Sequence, residues 1–254
     1  MEHPIVSYTT KEVAEQAGIH PNTVRFYEEV GLLTPPKRQK NGYRAHTELQ
    51  LAQCRLIRLA MQAEVLQNGL RKKAVAIVRL CAALDFDRAL AAAVEYRAMI
   101  AKETAQAQCA AQAAESMLHR VTPPNARPLI RLDAAKQLGV TPDTLRNWER
   151  NGLIRIRRLQ NGYRMYTAGD IERLQVIRTL RLAGYSLSSI LRLMNQLDGQ
   201  AAQPVEAILN TPEEGEEIVS VCDQLIVSLK KTARDAAELE RMLNEIKAQF
   251  QTIQ

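Results

Sequence analysis

The chain has 254 residues, 46% of them hydrophobic and 24% charged, which is the profile of an ordinary globular protein rather than a fibrous or disordered one. Its formal charge of +6 admits an anionic partner without demanding one. No apolar run is long enough for a signal peptide or a membrane span, and Cys54, Cys81, Cys109 and Cys222 are scattered without a CxxC, so a cytoplasmic protein with no disulfide scaffold, no metal site and no cofactor is expected.

The first periodic segment is TKEVAEQA, Thr10–Ala17, with apolar residues three and four apart as in a short amphipathic helix. Gly18 breaks it. A second helix begins at His20–Pro21 (PNTVRFYEEV) and stops at Gly31. Helix, tight turn with Gly, helix is the helix-turn-helix pattern. A short strand, Leu32–Leu33, is expected next, followed by the basic run PPKRQK. Asn41-Gly42 then makes a hairpin turn and Tyr43–Arg44 return as a strand. A cationic hairpin beside a helix-turn-helix is a winged helix.

The same order recurs. Gly18, Pro21, Thr23, Arg25, Glu28, Gly31 and Leu32 have identical counterparts in Gly139, Pro142, Thr144, Arg146, Glu149, Gly152 and Leu153, and NGYR returns at Asn161–Arg164 after RIRRLQ. A tandem duplication explains this. In the second copy Thr141 caps the second helix, with Pro142 and Asp143 behind it. His20 is a weaker cap at the matching place. Leu153–Ile154 is the expected strand of this copy.

Val24 and Leu145 should face each core, leaving Arg25, Tyr27, Arg146 and Trp148 on or near the exposed side. Arginine suits guanine edges and phosphates, and Tyr or Trp packs on sugar. Phe26 and Asn147 occupy one equivalent position, the first suited to a thymine methyl and the second to adenine. Lys37, Arg38, Lys40, Arg155, Arg157 and Arg158 form the wing charge, and Arg44 and Arg164 are expected on phosphates. Thr23, Thr144, Tyr43 and Tyr163 complete the candidate interface. A lone basic hairpin is most often a solvated turn, and a lone aromatic a core residue. Their repeated combination favours DNA binding.

The second copy, TLRNWERNGLI followed by NGYRMYTAGDIERLQVIRTLRLAGYSLSSILRLM, resembles the mercury-resistance regulator (MerR) type of winged-helix transcription factor. The first copy matches through TVRFYEEVGLL and NGYR. It departs where His46 replaces the second wing aromatic, where Leu49–Gln50 replace an acidic start, and where QAEVLQNGLRKKA replaces the GYSL turn. The resemblance implies double-stranded promoter DNA as partner, with RNA polymerase acting on the distorted site, and a long helix that pairs antiparallel with another.

Two such helices are present. Glu213–Gln254, capped by Thr211, repeats apolar residues from Ile218 and Cys222 through Leu225, Leu229, Thr232, Ala236, Leu239, Leu243, Ile246 and Phe250 to Ile253. Asp85–Val121 repeats Phe86, Leu90, Ala93, Arg97, Ile100, Thr104, Ala107, Ala111, Ala114, Leu118 and Val121. Large against small residues allows close interdigitation. The expected organisation is therefore mainly α-helical with small β wings: a divergent winged helix at 1–83, a long helix at 84–121, a linker at 122–129, a second winged helix at 130–199, a connector at 200–212 and a long helix at 213–254. The two long helices would pair within one chain as an antiparallel coiled coil, making a monomeric pseudo-dimer for an imperfect inverted repeat.

Cys81 and Cys222 lie near the starts of the long helices, where relatives sense metals. Neither has a second ligand nearby, so buried free thiols are expected. No nucleophile–base pair or phosphate-cradling loop points to an enzyme. A small-molecule effector, if there is one, would sit against the coil or its flanking helices. The alternatives are an architectural or recombination accessory protein, and a coiled-coil interaction protein whose winged helices no longer bind DNA.

Overall fold

The computed structural model describes residues 7–62, 69–118, 127–158, 162–198, 203–211 and 221–251. These form two compact units, one of Met1–Lys102 with Lys230–Gln254 and the other of Glu103–Leu229.

In the first unit, α1 (Thr10–Ala17) opens with a capping box: the Thr9 hydroxyl accepts from the Glu12 amide while the Glu12 carboxylate takes the Thr9 amide at 2.7 Å. Gly18 ends it in the left-handed region, and α2 (Pro21–Glu29) follows with His20 Nδ1 accepting from the Asn22 amide. α1 packs on α2 and on α3 (Glu48–Gln62), and Val13, Ala14, Ala17 and Val24 are buried together with Leu51, Cys54 and Ile57 of α3. The fourth helix, α4 (Leu70–Ala82), packs on α3.

The expected strands at Leu32–Leu33 and Leu153–Ile154 do not form. Both pairs are bends or coil, held inward because their side chains are buried. The first wing is built further out, from β1 (Lys37–Arg38) and β2 (Arg44–Ala45), antiparallel and in register Arg38 to Arg44. His46 then pairs backward with Tyr8 through two backbone hydrogen bonds of 2.8 and 2.9 Å, so the residues before α1 clasp the wing.

The second unit repeats this plan with α6 (Arg131–Leu138), α7 (Pro142–Arg150), α8 (Ala168–Leu182) and α9 (Leu187–Asp198). Here the clasp is a full pair of strands, β3 (Leu129–Ile130) against β4 (Met165–Tyr166), and the wing closes by a bridge from Arg158 to Arg164. Leu129 thus belongs to the second copy and not to a linker, of which Thr122–Ala126 lie outside the described residues. The connector expected at 200–212 contains a helix, α10 (Val205–Asn210), whose Val205, Ile208 and Leu209 are buried. The buried Arg192 guanidinium binds the Ile208, Leu209 and Asp223 carbonyls at 3.0–3.4 Å, tying α9 to α10 and to a short 3-10 turn at Val221–Gln224.

The long helices are α5 (Phe86–Leu118) and α11 (Leu225–Phe250). A start at Glu213 capped by Thr211 is not seen: Thr211 is extended behind α10, and Pro212–Ser220 lie outside the described residues. Ile218, Ile253 and Val121, and the Cys222 side chain, are outside them too. From Leu225 onward the expected α11 seam is buried through Leu229, Thr232, Ala236, Leu239, Leu243, Ile246 and Phe250. On α5 the seam shifts by one residue at two places, burying Ala89 and Tyr96 instead of Leu90 and Arg97. The Tyr96 ring carries more apolar area inward, and Arg97 instead reaches Glu240 of α11 at 2.7 Å. Lys247 of α11 pairs with Asp87 at the start of α5.

Candidate nucleic-acid interface

Each recognition helix presents one side to its core and one to solvent. Val24 and Leu145 are buried, as the spacing predicts, while Arg25, Phe26, Arg146 and Asn147 are exposed and Thr23 and Thr144 half-buried. Phe26 is 54% exposed, a large apolar surface whose ring centroid lies 6.4 Å from that of Tyr27. Arg25 Nη1 donates to Asn22 Oδ1 at 2.9 Å and Arg146 Nη1 to Asp143 Oδ1 at 3.1 Å, both in contact with water and able to reorient.

Tyr27 and Trp148 correct the sequence reading. Their rings are 8% and 5% exposed, so neither is on the outer side. Each lies one turn beyond the inward Val24 or Leu145, and the chain folds back over it: Leu32 and Leu33 amides donate to the Tyr27 carbonyl, and the Leu153 amide to the Trp148 carbonyl. They are core residues that fix the helix against the segment leading to the wing.

The wing tips are cationic and exposed. Lys37, Arg38, Lys40, Arg157, Arg158 and Arg155 all face solvent, with Tyr43 at 73% and Tyr163 at 66%. In the first tip the Asn41 side-chain oxygen accepts from the Tyr43 amide at 3.1 Å, and Gly42 takes a φ of 83°, a conformation that disfavours any side chain. Asn161 of the second tip is outside the described residues, and Gly162 has a φ of 78°.

Arg44 and Arg164 are half-buried, and each binds a carboxylate of its own recognition helix. Arg44 Nε donates to Glu28 Oε2 and Arg164 Nε to Glu149 Oε1, both at 2.6 Å. Each pair braces wing against helix. Glu149 takes a second partner, Arg131 at 3.4 Å, whose Nε also donates to the Tyr166 hydroxyl at 3.3 Å. In the first copy His46 replaces that aromatic and is fully buried, contacting the Thr10 hydroxyl at 3.2 Å with its Nδ1 unpartnered. Burial pulls its pKa below the ordinary value, opposed by Glu28 and assisted by Arg44. Glu28, Glu149 and Arg131 were missed in the sequence, although Glu28 and Glu149 stand among the residues the two copies share.

A MerR HTH family regulatory protein model matches residues 133–197, and a MerR family regulatory protein model matches residues 9–45. The chain carries two MerR-type domains. Curated relatives agree with this. The HTH-type transcriptional regulator CueR of Salmonella typhi is 47% identical over 51 residues, 20% of this chain and 37% of that protein. The HTH-type transcriptional regulator ZntR of Escherichia coli K12 is 41% identical over 64 residues, 25% of this chain and 45% of that protein. An uncharacterized HTH-type transcriptional regulator of Synechocystis is 40% identical over 55 residues, 22% and 40% of the two chains. The matches thus span less than half the length of these relatives. No solved structure matches the chain significantly.

Among the described residues no group of three or more His, Cys, Asp or Glu side chains could hold a metal ion in either MerR-type domain. Cys81 is buried, and burial pushes its thiol up to about 12, which keeps it protonated and a poor ligand or nucleophile.

Proposed function

We propose that the protein is a sequence-specific DNA-binding transcription regulator that works as a single-chain pseudo-dimer on an imperfect inverted repeat in a promoter. The observation that carries this is the repeated unit of an exposed recognition side, Arg25-Phe26 or Arg146-Asn147, with a cationic wing braced to it by Arg44–Glu28 or Arg164–Glu149. Each unit offers donors for base edges and cations for phosphates.

In this reading the two long helices pair antiparallel within the chain. Asp87 with Lys247 and Arg97 with Glu240 support that pairing, because the order along α5 runs opposite to that along α11. In the second unit, Tyr185 donates its hydroxyl to the Ala107 carbonyl of α5 at 3.1 Å, a contact between the second domain and the first long helix. Promoter DNA is the partner, RNA polymerase the machine that reads the outcome, and the cytoplasm the compartment.

Selection from random duplexes tests the proposal. The expected site is two half-sites alike where Arg25 and Arg146 read and different one or two base pairs away. A fully symmetric site, or protection of one half-site alone, would overturn the two-reader arrangement. Weak, salt-sensitive binding to any duplex would favour the accessory-protein reading instead.

A further inference from the structure

The two MerR-type domains differ in charge on their fourth helices. α9 has a single basic residue, Arg192, and it is buried. α4 carries LRKK at its start and Arg79 near its end, with Arg71, Lys72 and Arg79 all exposed. Lys73 turns aside to Glu95 of α5 at 3.0 Å and Arg88 has Asp85 at 3.2 Å. Among the described residues Arg71, Lys72 and Arg79 have no carboxylate partner.

These cations border a groove of about 960 Å³ in the first unit, open along one side. Its floor is apolar, made by Val75, Ala76 and Leu80, and its rim is Lys72, Arg79 and Arg88. A volume of that size is within the range of small-molecule sites, roughly 300–1,000 Å³. An apolar floor favours a hydrocarbon body, and guanidinium and ammonium groups at the rim favour an anionic head. Cations that served the contact shared by both domains would have counterparts on α9, and they have none. A folded protein partner needs about 800 Å² per side, more than three turns of one helix offer.

We infer that the α4 groove binds a small amphiphilic anion, an aliphatic or aryl body bearing one carboxylate or sulfonate, at a site particular to the first domain. This goes beyond DNA binding and stands independently of it. The body lies over Val75, Ala76 and Leu80 while the head meets Arg79 and Lys72.

The probe is decanoate below its micellar range, titrated calorimetrically into the full-length chain, with decanol and decyltrimethylammonium as neutral and cationic controls. Saturable one-to-one binding of decanoate is expected, at least tenfold tighter than either control. Arg79→Glu should weaken it tenfold or more, and so should Ala76→Trp, which fills the floor from an exposed position and so does not threaten folding. Arg38→Gln in the wing should leave it unchanged, and added duplex DNA should not displace it. Equal binding of all three amphiphiles, no saturable binding, or wild-type affinity in both groove variants would overturn the inference. So would displacement by duplex, or binding of an acidic amphipathic peptide where decanoate fails.

Discussion

Arg44 lies 2.6 Å from Glu28, and Arg164 lies 2.6 Å from Glu149: in both domains a wing arginine is fastened to the last-but-one residue of the recognition helix. The pair sets the angle between the two parts that would grip DNA. Glu28→Ala should therefore lower DNA affinity although Glu28 repels phosphate, and should cost about 1–2 kcal/mol of stability. Arg44→Ala should cost about as much, and the double variant little more than either single one. Thermal unfolding and fluorescence anisotropy with a selected duplex measure both effects. Tighter DNA binding by Glu28→Ala would show that the glutamate acts by charge and not by bracing.

Leu84 is the one residue other than glycine with positive φ among the described residues, at 63°. It stands at the end of α4, where its amide donates to the Cys81 carbonyl and the Asp85 amide to the Leu80 carbonyl, a helix end that glycine usually occupies. Leu84→Gly should stabilise the protein by about 0.5–1 kcal/mol. Gly31 has φ 70° and open space around a built Cβ, so Gly31→Ala should destabilise by about 1 kcal/mol through backbone strain alone. Urea unfolding of the two variants separates conformation from packing.

His46 gives the first domain a pH dependence. Its folded pKa is lowered, chiefly by burial, so the folded state binds fewer protons than the unfolded state. The stabilisation is complete above the unfolded value of about 6.5 and is lost as pH falls through the lower folded pKa. Wild-type stability should drop across that acid window, and His46→Phe should flatten the slope there. An unchanged slope would place the titration elsewhere.

If the long helices pair within the chain as proposed, light scattering should give a particle of 28.5 kDa, independent of concentration. Leu239 is buried on the α11 seam, and Leu239→Glu should cost at least about 3 kcal/mol by putting a carboxylate where apolar side chains pack. A persistent mass of twice that value would mean that the helices pair between chains.

Phe26→Asn should make the preferred duplex more symmetric, by about 1 kcal/mol or more per changed base pair. Selection with the variant, compared with the wild type, reads this directly.

The helical skeleton was legible because its punctuation is local. Gly18 and Gly139, Pro21 and Pro142, and Thr141 mark ends that need no distant partner. The clasp of Tyr8 on His46 and of Leu129 on Tyr166 was not legible, since a strand of one or two residues has no periodicity. Tyr27 and Trp148 were misread because aromatic character alone does not say which way a helix turns; the fold-back at Leu32 and Leu153 decides it. Arg97 entered the seam on spacing alone, and the larger ring of Tyr96 took the inward place. Glu28 finds Arg44 across sixteen residues, beyond any local pattern.

Phe26 and Asn147 hold matching places on helices of one polypeptide, so no exchange of subunits can ever swap them. If the chain grips DNA as proposed, the bound duplex acquires a head and a tail. Two identical subunits would sit on a palindrome in either direction with the same result, whereas this molecule faces one flank of its site with phenylalanine and the other with asparagine. A promoter could then be marked with a direction by the protein as well as by its own sequence, and the effect on divergent neighbouring genes would be unequal by construction.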